Sequence, residues 1–163
     1  MEWVIRTDRL GLRRLGAADL PALRRMHWLD AERVLSRSLA EYERIGHAFW
    51  AVVLRESGEF AGICGLLEQV LEGQPEVEVG YHLIQDYHGR GIATEAARGV
   101  MEYAFHEVGA HRLVSLIEPH NLASTRVAEK NGLRHERDAV FRDLPVMVFV
   151  AVATNAAKLP RRR

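Results

Sequence analysis

The sequence predicts an α+β domain around a mainly antiparallel sheet, and three observations carry that prediction. Apolar–polar alternation, the mark of half-buried strands, recurs along the chain. Two such segments, 48–54 and 60–67, are separated by Glu56-Ser57-Gly58-Glu59, a hairpin turn by composition. Helical patterns interrupt the strands without a regular strand–helix–strand alternation, so a doubly wound parallel sheet is not expected. At 163 residues the chain fits one domain, 1–163, with one sizeable core. It shows no internal repeat, low-complexity segment or linker that would split it.

The elements follow in order. Arg9-Leu10-Gly11-Leu12-Arg13-Arg14-Leu15 alternates as a strand does. Ala17-Ala18-Asp19 leads into a helix with Pro21 in its first turn, where proline is tolerated. Leu20, Leu23, Met26 and Leu29 form its apolar stripe. Residues 30–35 are ambiguous, and 36–46 suggest a short helix with Leu39, Tyr42 and Ile45 at helical spacing. After the 48–67 hairpin, Gly73-Gln74-Pro75 breaks the chain, and residues 76–84 alternate cleanly as the next strand. A glycine turn opens a helix over 91–107, with Ile92, Ala96, Val100 and Ala104 on its apolar face. A short strand spans 112–117 and a helix 121–131, with Gly132 where a C-terminal stop belongs. Strands over 133–142 and 145–153 close the domain.

Composition excludes several function classes. Acidic and basic residues balance at 22 each, so the basic excess of a general nucleic-acid binder is missing. Arg161-Arg162-Arg163 reads as part of a frayed tail over 158–163. No segment approaches the roughly 20 apolar residues of a membrane span. The N-terminus lacks the apolar stretch of a signal peptide, which makes a cytoplasmic location the default. The single cysteine, Cys64, lies in an apolar run and reads as a buried, inert thiol. The eight histidines form no H-x-x-x-H or H-E-x-x-H pattern, so a metal site is not expected.

The most informative run is His88-Gly89-Arg90-Gly91-Ile92-Ala93-Thr94-Glu95-Ala96. A glycine turn at a helix start exposes backbone N–H groups at the positive end of the helix dipole, which suits an anion. The run does not supply the G-x-x-x-x-G-K-[ST] of a P-loop. A dinucleotide fingerprint belongs on the first strand of a parallel set, whereas this run lies mid-chain after a meander. A pyrophosphate cradle for another nucleotide, such as coenzyme A, remains.

His88-Gly89-Arg90-Gly91-Ile92-Ala93 resembles the Q/R-x-x-G-x-G/A signature of GCN5-related N-acetyltransferases, the GNAT superfamily. Thr94-Glu95-Ala96 resembles its Rim-type branch, which includes acetyltransferases of ribosomal-protein N-termini. Thr7-Asp8-Arg9-Leu10-Gly11-Leu12-Arg13 is similar to that branch's first strand, and the segment from Asn121 to Leu133 to its late helix. Order and spacing agree from about residue 6 to 153. The resemblance implies the GNAT fold, a mixed and mainly antiparallel sheet of about seven strands with about four helices. It implies acetyl-CoA as cofactor, and a primary amine as acceptor: a small molecule, or a protein or peptide N-terminus. Dimers are common in such proteins, which leaves a homodimer open. His88 departs from the pattern, standing where the superfamily has Gln or Arg and the Rim branch often has Trp.

The resemblance also assigns residues. Leu83, His88, Gly89, Arg90, Gly91, Ile92, Ala93, Thr94, Asn121 and Ser124 are expected at the cofactor, with backbone near Leu83 holding the acetyl carbonyl. Many members carry a tyrosine acid one turn beyond Ser124, but that position is Ala128 here. Ser124 is then the nearest hydroxyl for the leaving thiolate, and Asn121 would touch the pantetheine arm or simply cap the helix. Glu78 is the expected base, with Glu76 on its face and His82 and His120 as substitutes. His27, Trp28, Tyr42, Phe49 and Trp50 supply aromatic groups for the core, with one or two lining the acceptor site. The expected reaction is direct attack by the bound amine in a ternary complex, with Cys64 offering no sign of a nucleophile. The alternative is an acyl-CoA-binding sensor that has lost turnover, supported by His88 and the missing tyrosine.

Overall fold

The computed structural model describes residues 2–153. The expectation for the tail at 158–163 lies outside the described residues. The elements run β1 (Ile5–Arg6), β2 (Leu10–Arg14), α1 (Leu20–Arg24), α2 (Ala31–Arg44), β3 (Phe49–Leu54), β4 (Phe60–Leu71), β5 (Gln74–Leu83), α3 (Ile92–Tyr103), β6 (Arg112–Ile117), α4 (Leu122–Lys130), β7 (Arg134–Phe141) and β8 (Leu144–Val152). They form an 8-stranded sheet in the order β1-β2-β3-β4-β5-β6-β8-β7. All pairs are antiparallel except β5 with β6. The α+β class and the mainly antiparallel sheet are therefore as expected, with the two-residue β1 as an added edge strand.

Three expectations need correction. The helix expected over 36–46 is α2, which starts at Ala31 because the Asp30 carboxylate accepts the Arg33 N–H and caps it. Its buried residues are Ala31, Leu35, Ser38 and Tyr42, while Leu39 faces outward. The break expected at 73–75 is a two-residue turn, Glu72-Gly73, with φ of 46° and 81°. Gln74 and Pro75 already belong to β5, opposite Leu71 and Val70. The strand expected to end at 67 therefore runs on to Leu71 as one arm of a long hairpin. The helix expected over 91–107 winds as an α-helix to Tyr103 and then widens into a π-helical turn over Ala104–Val108.

The main core is formed by buried side chains of the central strands and α3, among them Leu10, Leu12, Trp50, Ile63, Leu66, Ile92 and Met101. A smaller cluster of Leu71, Val114, Ala139, Val146, Val148 and Val150 lies under the β7–β8 hairpin. What matters for function is the join between β5 and β6, which has one bridging pair, Glu78 opposite Val114. Beyond it the strands part, and side chains take over the bonding. Ser115 Oγ donates to the Val79 carbonyl at 2.9 Å, and the Leu116 N–H donates to the Glu78 carboxylate at 3.3 Å. A gap thus opens at the C-terminal half of β5, edged by Gly80, Tyr81, His82 and Leu83.

Candidate active site

Two clefts meet at that gap. The first lies along the glycine turn. Gly89 and Gly91 have φ of 75° and 76°, a left-handed conformation that costs glycine little and other residues considerably more. Gly91 starts α3 without a side-chain cap. The ladder begins with the Glu95 N–H on the Gly91 carbonyl, so the first-turn N–H groups of Ile92, Ala93 and Thr94 point outward. Arg9 ties the turn down: its Nη1 donates to the Arg90 carbonyl at 3.0 Å and its Nε to Glu95 Oε2 at 2.6 Å. Glu95 Oε1 also accepts from Thr7 Oγ1 at 2.7 Å and the Arg9 N–H at 2.9 Å. Burial opposes a charge on Glu95, but these bonds from Arg9 and Thr7 outweigh it and hold the carboxyl below its ordinary range.

The groove over this turn has a volume of about 440 Å³. It is lined by Leu83, His88, Gly89, Gly91, Ile92, Ala93 and Thr94 on one side and by Asn121, Ser124, Arg126 and Lys130 of the α4 segment on the other. Outward N–H groups, a helix dipole and two cations fit a pyrophosphate-bearing ligand. Arg126 and Lys130 escaped the sequence reading, although their i,i+4 spacing puts them on one face of α4.

Two expected cofactor residues are differently engaged. The Arg90 guanidinium lies over the Tyr87 ring, 5.4 Å from its centroid, and Arg90 is not part of the groove wall. His88 lines the groove, but its Nε2–H donates to the Leu83 carbonyl at 2.9 Å, which leaves Nδ1 as an acceptor in the neutral ring.

The second cleft, of about 560 Å³, lies between α2, β5 and the β7–β8 turn. Glu78 is on its wall. Its Oε1 accepts from Gln69 Nε2 at 3.1 Å, and Gln69 is itself held by Arg37 Nη2 at 3.5 Å. Burial pushes the Glu78 carboxyl above its ordinary range, against the bonds from Gln69 and Leu116 and the field of Arg142 and Arg37. Glu76 is apart from this site, with its carboxylate bonded by Arg112 Nε at 3.1 and 3.2 Å.

Trp28, Tyr81, His82, Asn121 and Ser124 line both clefts, so a group carried in one meets a group carried in the other there. Burial lowers the His82 imidazole to about 4, which keeps it neutral at pH 7. The exposed His120, 3.6 Å from Glu118, lines neither cleft. Asn121 does cap α4, its Oδ1 accepting the Ser124 N–H at 3.1 Å, and it faces both clefts as well. The Ser124 carbonyl accepts the Tyr81 hydroxyl at 2.7 Å. The phenol of Tyr81 thus stands beside Ser124, although it comes from β5 and not from α4. Of the aromatic residues named from the sequence, Trp28 and Phe49 line the second cleft, while Tyr42 and Trp50 are in the core.

Backbone at Leu83 points into the gap. The Ile84 N–H donates to the Ala61 carbonyl at 2.9 Å, so Ile84 and Ala61 are a hydrogen-bonded pair. Antiparallel alternation then turns the N–H and carbonyl of Leu83, opposite Gly62, away from β4. Gly62 permits this close approach, because a Cβ there would stand 2.2 Å from the His82 carbonyl oxygen. Cys64 is fully buried, and burial pushes its thiol well up. No group of three or more metal-ligating side chains occurs among the described residues. No helix among them is long and apolar enough to cross a membrane.

Known proteins resemble this chain in sequence and in fold. The family model described as "Acetyltransferase (GNAT) domain" matches residues 9–134. An uncharacterized protein of Bacillus subtilis, YkkB, is 36% identical over 110 residues, covering 68% of this chain and 64% of that protein. The probable N-acetyltransferase YjcK of the same organism is 44% identical over 71 residues, covering 43% of this chain and 39% of YjcK. The matches therefore span less than two thirds of these relatives' lengths. An acetyltransferase structure from Agrobacterium tumefaciens superposes with a TM-score of 0.81 at 30% identity, covering 93% of this chain and 94% of that one. RimL, a ribosomal L7/L12 alpha-N-protein acetyltransferase solved in complex with coenzyme A, superposes with a TM-score of 0.74 at 17% identity, covering 93% and 98%, and shares the fold.

Proposed function

The chain belongs to the GNAT acetyltransferase family, and we propose that it transfers an acetyl group from acetyl-CoA to a primary amine by direct attack in a ternary complex. The observation that carries this reading is the shared wall of the two clefts. One cleft offers helix N–H groups and two cations to a pyrophosphate, the other offers a half-buried carboxylate, and both open onto Tyr81, His82, Asn121 and Ser124.

Each residue then has a task. Glu78 takes the proton that the ammonium must shed before its nitrogen can attack, directly or through water, and its raised proton affinity suits that task. As the C–N bond forms, the Leu83 N–H faces the developing oxyanion. As the C–S bond breaks, the Ser124 hydroxyl hydrogen-bonds the departing thiolate, which takes up the second proton shed by the new amide nitrogen. Cys64, buried and held protonated, supports direct attack without an acyl-enzyme.

The test is calorimetry with acetyl-CoA, followed by a thiol-release assay over small amines and peptide N-termini. Saturable binding with amine-dependent release is the expected result. Binding without release for any amine would leave a coenzyme-binding module, and no binding would remove the reading altogether.

A further inference from the structure

We propose that the acceptor is a primary amine that also carries a carboxylate, which the guanidinium groups of Arg33 and Arg142 receive. This inference rests on the acetyl-transfer reading and names the chemistry of its acceptor.

The acceptor cleft holds three arginines and three acids in its wall. Two of the acids are engaged. Glu78 accepts from Gln69 and the Leu116 N–H, and Asp30 Oδ1 accepts the Arg33 N–H at the start of α2, whereas the partly exposed Glu118 has only His120 Nε2 near it, at 3.6 Å. The arginines are not equally engaged. Arg37 spends its Nη2 on the Glu68 carbonyl and Gln69. Arg33 and Arg142 form no ion pair with a carboxylate of the described residues. The Arg142 guanidinium rests on the Phe141 ring, 4.9 Å from its centroid, and reaches the Glu78 carboxylate through its field alone, without an ion pair.

The two free guanidinium groups come from different elements, α2 and the β7–β8 turn. The second is carried on a tight turn: Arg142 and Asp143 have φ of 51° and 66°, the left-handed pair of a two-residue hairpin. A guanidinium offers a fork of donors that matches a carboxylate, and it keeps its charge at any working pH. A cleft with two of its three acids engaged and two forks open favours an amine whose other end is anionic. It disfavours a polycation, whose second charge would face Arg33 and Arg142. The volume of about 560 Å³ accommodates an amino acid or the first residues of a peptide.

The experiment measures acetylation of matched acceptors by thiol release at low salt. One pair is free alanine and alaninamide. The other is Ala-Glu-Ala amide and Ala-Gln-Ala amide, with spermidine as the polycation. In at least one pair the carboxylate member is expected to have a kcat/KM about tenfold higher or more, chiefly through KM. The pair that shows it tells a free amino acid from a peptide N-terminus. The preference should shrink as salt rises. Arg33→Gln with Arg142→Gln should bring the ratio to within about twofold, and the two Arg→Lys changes should keep part of it. Both side chains are exposed, and an unchanged melting temperature and coenzyme A affinity verify folding. Ratios near one in both pairs, a preference for spermidine, or a ratio unmoved in the double Gln variant would each overturn the proposal alone. No turnover with any amine would overturn the acetyl-transfer reading and this inference together.

Discussion

Trp28 donates its indole Nε1–H to Nδ1 of His82 at 3.3 Å, across 54 positions of sequence. The bond fixes which nitrogen of the imidazole carries the proton. With Nδ1 accepting, the neutral ring is protonated at Nε2 and presents a donor, not a base. Phe49 packs edge-on against the same ring at 5.9 Å, so His82 is clamped from both sides.

His82 should therefore leave its mark on stability. Burial lowers its pKa to about 4 from an ordinary 6.5. A depressed folded-state value means that the unfolded chain binds the proton first as pH falls. The stability present above pH 6.5 is then lost progressively down to about pH 4, up to about 3 kcal/mol. Urea melts of the wild type and His82→Gln between about pH 7.5 and about pH 4.5 test this. The wild type should lose stability faster on acidification, and equal slopes would contradict the clamp.

Glu78 makes the opposite prediction on both axes. Its folded-state pKa is raised by burial, so the folded state prefers it protonated. The stability this lends is present below the unfolded-state value and is lost as pH rises through the folded one. At neutral pH Glu78 therefore destabilises the fold. Glu78→Gln should raise the melting temperature, by about 2–4 °C for each kcal/mol relieved. It should also lower kcat by about a hundredfold or more. In the wild type, kcat/KM should fall on acidification through a pKa above the ordinary carboxylate range, and this limb should vanish in Glu78→Gln. A variant that loses stability as well as rate would point to a structural part for the carboxyl.

The contrast between these residues shows what the sequence could convey. The helix at Leu122–Lys130 was legible at both ends, because Asn121 and Gly132 are local signals, as was the groove, whose glycine turn is contiguous. The start of α2 was not, because Asp30 stands in a stretch without apolar period and one hydrogen bond decides it. The pairing of Trp28 with His82, and of Tyr81 with Ser124, depends on how far β5 and β6 diverge. Strand alternation places side chains on a face but carries no information about where two strands part. Glu78 and Glu76 share a face by alternation, yet one enters the cleft and the other meets Arg112, which only the neighbouring strands determine.

The turn at Gly91 should matter more for coenzyme binding than His88 does. A valine at φ of 76° costs about 1–2 kcal/mol of backbone strain and places methyl groups among the outward N–H groups. His88, by contrast, spends its Nε2–H on Leu83. Isothermal calorimetry should give at least about a tenfold weaker Kd for Gly91→Val and less than about a threefold change for His88→Ala. The reverse order would mean that the imidazole, and not backbone, carries the phosphates.

Ser124 and Tyr81 separate by the step each affects. Ser124 lines both clefts, and its backbone is already committed, its N–H to Asn121 and its carbonyl to the Tyr81 phenol. Removing the hydroxyl deprives a departing thiolate of a charge-assisted bond and leaves the groove intact. Ser124→Ala should therefore lower kcat by about ten- to a hundredfold with little change in coenzyme A affinity. Tyr81→Phe instead releases the first turn of α4, which carries Ser124 and Asn121 into both clefts. That variant should raise the Kd for coenzyme A as well as lower kcat, because the whole edge of the groove loosens. If Tyr81→Phe lowers kcat with unchanged affinity while Ser124→Ala is silent, the phenol is the group that protonates the sulfur. The hydroxyl missing at Ala128 would then be supplied from β5.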